Sequence, residues 1–163
     1  MTIHSTVFNS VHTVAKYLYH LNNEISPIKL QKSLYFLFAY YGALYGINKE
    51  DGVFEGSPNS PRYLFDSEFE AWKYGPVIRE VFNVNKQDGY QEVEIIEAVK
   101  EVVSKNEVKS FIDELFNQIN SVSDFGLVDR SHQDFVWKNA FKSGILMDKD
   151  HIIDEYMEKY VTQ

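Results

Sequence analysis

Apolar residues recur at helical spacing along most of this chain. Val11, Val14, Ala15, Leu18 and Leu21 share one side of a helix that Asn22-Asn23 can end, which predicts an amphipathic helix over residues 8–22. Ser26-Pro27 then supplies an N-cap followed by proline at the first helical position, and Leu30, Leu34, Leu37, Tyr41 and Leu44 line one face of the next helix, with Gly46 at its end. Phe36, Phe38 and Tyr40 spread apolar surface around the same cylinder, so this helix is expected at the centre of the fold. Residues 48–62 are rich in Gly, Pro, Ser and Asn and predict a surface loop. Tyr63 to Tyr74 is read as extended, as two short strands or a hairpin. Within it Phe69, Ala71 and Lys73 alternate with Glu70, Trp72 and Tyr74; Gly75-Pro76 is expected to stop the pairing, with Pro76 able to open a helix running to Val84.

Helical spacing resumes at Ile95, Ile96, Val99, Val102 and Val103, between Gln91 and Lys105. Asn106 is expected to cap a helix whose buried stripe is Val108, Phe111, Ile112, Leu115 and Ile119. After a short connector, Ser131 with Asp134 three positions on reads as a capping box for a helix carrying Trp137 and Ala140 and ending at Gly144. Asp148 opens a last helix with Ile152, Ile153, Tyr156, Met157 and Tyr160 inward. The fold class that follows is mainly α: a compact single-domain helical bundle over residues 1–163 with a short strand or hairpin around residues 63–74.

Composition sharpens this picture. Hydrophobic residues make up 44% of the chain and aromatic ones 15%, enough to bury a core built largely of rings. The formal net charge of −8 argues against general nucleic-acid binding, which needs clustered Lys and Arg. Without cysteine there are no disulfides and no thiolate metal sites, which fits a reducing compartment. Residues 1–10 carry no secretory pattern, and the apolar run Leu34 to Leu44 is too short to span a bilayer, so a cytoplasmic location with no membrane partner is expected.

Three runs carry a resemblance: Ile28-Lys29-Leu30-Gln31-Lys32-Ser33-Leu34-Tyr35-Phe36, then Glu68-Phe69-Glu70-Ala71-Trp72-Lys73-Tyr74-Gly75-Pro76-Val77-Ile78, then Ser131-His132-Gln133-Asp134-Phe135-Val136-Trp137-Lys138-Asn139-Ala140. In that order they resemble the SocA-like, or Panacea, domain, a family associated with antitoxins, prophages and other mobile elements. The resemblance spans about residues 10 to 145, and its middle run is the most specific. One departure is visible: the family often has proline just before the last tryptophan, where Val136 stands here.

The resemblance implies a protein-binding inhibitor of the antitoxin type, which neutralises a toxin by direct contact or redirects it to a protease. An alternative on the same scaffold is a phage-encoded inhibitor of a host defence effector such as a CRISPR nuclease. The expected partners are a cognate toxin or other effector protein and, for the redirecting variant, a protease or chaperone. No cofactor, no metal and no direct nucleic-acid contact are expected. The partner-binding residues this reading selects are Lys29, Gln31, Lys32, Tyr35, Trp72, Tyr74, Gly75, Pro76, His132 and Trp137.

Each of these also has a structural reading. Lys29 and Lys32 oppose the dipole of the helix they open, so they serve either a partner or carboxylates such as Glu70, with Tyr35 offering its hydroxyl to the same network. Trp72, Tyr74 and Trp137 fit a core or, beside Gly75-Pro76, a rigid contact patch. The histidines are His4, His12, His20, His132 and His151; His12 and His20 lie about 80° apart on a helical wheel, and no His pair has metal-ligand spacing. His132 either bonds a neighbouring backbone group or carboxylate, or centres a hydrolase with Asp134, Glu68 and Glu70, the enzyme alternative to the binding module. Nucleotide-binding glycine loops and a nucleophile elbow are absent from the sequence.

Overall fold

A computed structural model describes residues 6–46 and 60–161; most of the loop expected over residues 48–62 lies outside the described residues. Among the described residues there are eight α-helices and one small sheet, a mainly α fold. The order is α1 Val11–Leu21, α2 Pro27–Tyr45, β1 Phe69–Trp72, β2 Gly75–Val77, α3 Arg79–Lys86, α4 Glu92–Val103, α5 Asn106–Asn120, α6 Asp124–Ser131, α7 Phe135–Ser143, β3 Leu146–Met147 and α8 Lys149–Tyr156, which runs into a π-helical turn, Met157–Val161.

Helix α2 is central, as its apolar circumference requires. It packs against α1, α3, α5, α6, α8 and β2, and Leu30, Leu34, Leu37 and Phe38 are fully buried. Its start is the predicted one: the Ser26 hydroxyl accepts from the Lys29 amide, and Pro27 sits in the first turn, where its missing N–H costs nothing. Aromatic contacts fasten this helix to the sheet, with Phe38 against Phe69 at 5.1 Å and Tyr35 edge-on to Phe69 at 5.7 Å.

The sheet is antiparallel, in the order β2-β1-β3. Gly75-Pro76 does not stop pairing as the sequence suggested: both residues belong to β2, with Ala71 opposite Pro76 and Trp72 opposite Gly75, leaving Lys73-Tyr74 as the turn. Proline is tolerated there because β2 is an edge strand, and the following helix starts only at Arg79.

Four further expectations change. The connector before residue 131 holds a helix of its own, α6, capped by Ser123. Ser131 is the last residue of that helix and turns its hydroxyl back to the Val128 carbonyl at 2.8 Å, so the expected capping box does not form and Asp134 is the N-cap residue of α7. Asn106 is the first residue of α5 rather than its cap. Tyr160 is 40% exposed instead of inward, its ring tilted against the buried Tyr156 at 5.1 Å. Gly144 ends α7 in the left-handed conformation at φ 67°, the role its position predicted.

Candidate functional site

The motif runs converge where α2 meets the hairpin. Gly75 has φ +108°, and a Cβ at this position would lie 2.5 Å from the Ser131 hydroxyl and 2.6 Å from the Lys32 Cε. Only glycine lets the hairpin backbone press this closely against α2 and α6. Lys32, buried to 1% exposure, donates to the Pro76 carbonyl at 2.9 Å. Gln31 holds the next step of the chain from both sides, accepting from the Ile78 amide at 2.8 Å and donating to the Ile78 carbonyl at 3.0 Å. Two adjacent side chains of α2 thus satisfy the backbone of β2 and its exit, groups that would otherwise be buried without partners.

One turn further along α2, the Tyr35 hydroxyl donates to Asp134, and Tyr156 of α8 donates to the same carboxylate at 2.6 Å. Asp134 is buried, and burial raises its pKa above the usual carboxylate value despite the two phenol donors. The same burial holds both phenols well above their ordinary values, and it drives the Lys32 amine down to about 7. Removing one donor leaves the other in place, so Tyr156→Phe is expected to cost about 1–2 kcal/mol, read as a shift in the urea midpoint with an unchanged slope.

Asp134 spends its carboxylate on tyrosines and not on its own helix. The first turn of α7 is capped instead from α8: Glu155 accepts from the Phe135 amide at 2.7 Å and the Val136 amide at 2.9 Å, and pairs with Lys159. The second of these bonds needs the N–H that a proline would lack, which gives a physical meaning to valine at position 136.

His132 sits at the end of α6. Its Nε2 donates to the Lys73 carbonyl at 2.9 Å, and its ring stacks on Trp137 at 4.1 Å. The Trp137 indole donates to the Trp72 carbonyl at 3.0 Å, so histidine and tryptophan together hold two successive carbonyls where the chain leaves β1 for the turn. Trp72 is half-buried, packed on Phe82 at 4.9 Å with the Arg79 guanidinium over its face, and its indole donates to Glu70. Glu70 is fixed by Arg79 through paired bonds of 2.8 and 2.9 Å, which hold its carboxyl below the usual range.

The expected contact residues therefore separate. Gln31, Lys32, Tyr35, Gly75, Pro76 and Trp137 are buried, whereas Tyr74 is 48% exposed at the hairpin tip, edge-on to the exposed Phe125 at 5.8 Å. Lys29 and Lys32 bond carbonyl oxygens in place of the anticipated carboxylates: the Lys29 ammonium reaches Asn120 at the end of α5, 2.9 Å away. There it meets the negative end of a helix dipole, which compensates its unfavourable place at the start of α2. Tyr35 joins Asp134, not the lysines. Sequence reasoning missed Glu155 and Tyr156 as supports of the third motif, because nothing in their local pattern signals α7 as their partner.

The enzyme arrangement does not assemble. His132 bonds a backbone carbonyl, Asp134 two phenols and Glu70 an arginine and a tryptophan, with no hydrogen bond among His132, Asp134, Glu68 and Glu70 among the described residues. Among those residues no group of three or more His, Asp or Glu is placed to hold a metal ion, and no helix is long and apolar enough to cross a membrane.

Residues 59–138, which hold the hairpin, α3 to α6 and the start of α7, match the family model described as antitoxin SocA-like, Panacea domain. The chain carries a SocA-like Panacea domain. The second motif lies within the matched residues and the third begins there, while the first, on α2, precedes them. Gln31, Lys32 and Tyr35 nonetheless bond the matched hairpin and Asp134, so α2 packs directly on the matched residues. No curated protein and no solved structure matches the chain.

Proposed function

We propose that this Panacea domain is a cytoplasmic binding module of the antitoxin type, which neutralises a toxin by direct contact and performs no catalysis. The observation that carries this reading is the disposition of the motif residues. Those with chemical potential, Lys32, Asp134 and His132, each spend a hydrogen-bonding group on an internal bond, and rings stand among the exposed groups beside them. Tyr74 and Phe125, with the open part of Trp72, form a rigid aromatic contact set on a braced hairpin, the chemistry of a protein-binding anchor. A net charge of −8 favours capture of a basic partner.

The test is co-expression with a candidate toxin, scored by growth and by co-purification. Rescue is expected, and Tyr74→Ala is expected to weaken association about 30-fold, the scale of an anchor residue, with an unchanged melting temperature. Rescue that requires His132 while binding persists in His132→Asn would replace this reading with a catalytic one.

A further inference from the structure

A second open surface lies at the other edge of the sheet, where α7, β3 and α8 enclose a cleft of about 670 Å³. Its walls include large apolar side chains left uncovered: Phe135 is 69% exposed, Ile145 54% and Leu146 48%. Two of these sit in regular elements. Phe135 opens α7, where Glu155 binds its amide, and Leu146 is paired in register with Glu70 on an edge strand. Held apolar groups at a concave edge mark an interaction surface more strongly than scattered ones.

The lining also carries Asp148, Asp154 and Glu158, against His151 and Lys159 as the basic residues, and Lys159 is paired with Glu155. The first-turn amides of α7, which would attract an anion, already face the Glu155 carboxylate. Anionic occupants are therefore disfavoured: nucleic acid, an acidic segment, or a second copy of this chain with its own charge of −8.

We propose that this cleft docks a cationic segment of a partner protein, one whose Lys or Arg side chains flank apolar anchors. The anchors pack between Phe135, Ile145 and Leu146, and the flanking cations meet Asp148 and Asp154. Because none of these residues belongs to the Tyr74–Phe125 pair, the cleft offers a binding surface separate from the one assigned above, with its own partner chemistry.

The test uses the purified chain and three synthetic peptides of equal length: alternating Leu and Lys, alternating Leu and Glu, and alternating Ser and Lys. The Leu/Lys peptide is expected to bind at least about tenfold more tightly than either control, with affinity falling as salt rises. Backbone resonances of Ile145, Leu146 and the first turn of α8 should shift. Asp154 and Leu146 are exposed, so Asp154→Lys and Leu146→Ser should each retain the fold and each weaken binding about tenfold. Equal binding of the Leu/Glu peptide, shifts confined to Tyr74 and Phe125, or wild-type affinity in the double variant would overturn the assignment. Since no toxin enters the assay, failure of the antitoxin reading leaves this result untouched, and the reverse also holds.

Discussion

Gly75→Ala is expected to destabilise the protein by about 2–5 kcal/mol, a large share of the stability of a marginal domain. Two effects add at this position. An L-residue at φ +108° carries backbone strain of about 1–2 kcal/mol, and the new methyl must displace the Ser131 hydroxyl and the buried Lys32 chain, an overpacking cost of about 1–3 kcal/mol. Gly89 separates the two: it has φ +70° with nothing within 4 Å of a Cβ, so Gly89→Ala should show the strain alone, about 1 kcal/mol. Urea unfolding of both variants measures the difference. Adding Ser131→Ala to Gly75→Ala removes the closest clash, so the double variant should be less damaged than the sum of the two single changes. Strict additivity would show that the hairpin does not rest on α6 as its geometry indicates.

Most of the helical frame was legible because its signals are local. Ser26-Pro27 at the start of α2 and Gly144 at the end of α7 act through their own hydroxyl, ring or φ, and they do in the fold what their sequence context predicted. The misreadings share a cause: the deciding partner lies far along the chain. Ser131 with Asp134 has the spacing of a capping box, but Ser131 closes α6 while Asp134 is taken by Tyr35 and Tyr156, leaving Glu155 to cap α7. Lys29 and Lys32 revealed their charge but not that an α5 carbonyl and the Pro76 carbonyl would meet them. Gly75-Pro76 looked like punctuation because its place on an edge strand is a property of the sheet, whose third strand, Leu146–Met147, is too short to recognise by alternation. At the candidate site, the resemblance pointed to residues that the fold gathers around the hairpin; burial separates those that brace it from Tyr74, which is offered to solvent.

Lys32 should make stability rise with pH across a range where most proteins are insensitive. In the unfolded chain its amine keeps its proton up to the ordinary value of 10.5, whereas burial in the fold drives it down to about 7. Between those values the unfolded state binds one more proton than the folded state, so raising the pH favours folding by about 1.4 kcal/mol per unit. From pH 7 to pH 9 the gain should be about 2 kcal/mol. Above about pH 10 the direction reverses, because Tyr17, Tyr41 and Tyr90 are held above their ordinary value by burial and Tyr63 is raised to about 12. Each ionises first in the unfolded chain and pulls it away from the fold. Urea unfolding of the wild type at several pH values should thus show a maximum near pH 9–10, and Lys32→Met, which keeps the length of the side chain without its amine, should flatten the rising limb while leaving the fall above about pH 10 in place. A wild-type curve already flat between pH 7 and pH 9 would mean that Lys32 keeps its charge inside the fold, and that more than the Pro76 carbonyl holds it there.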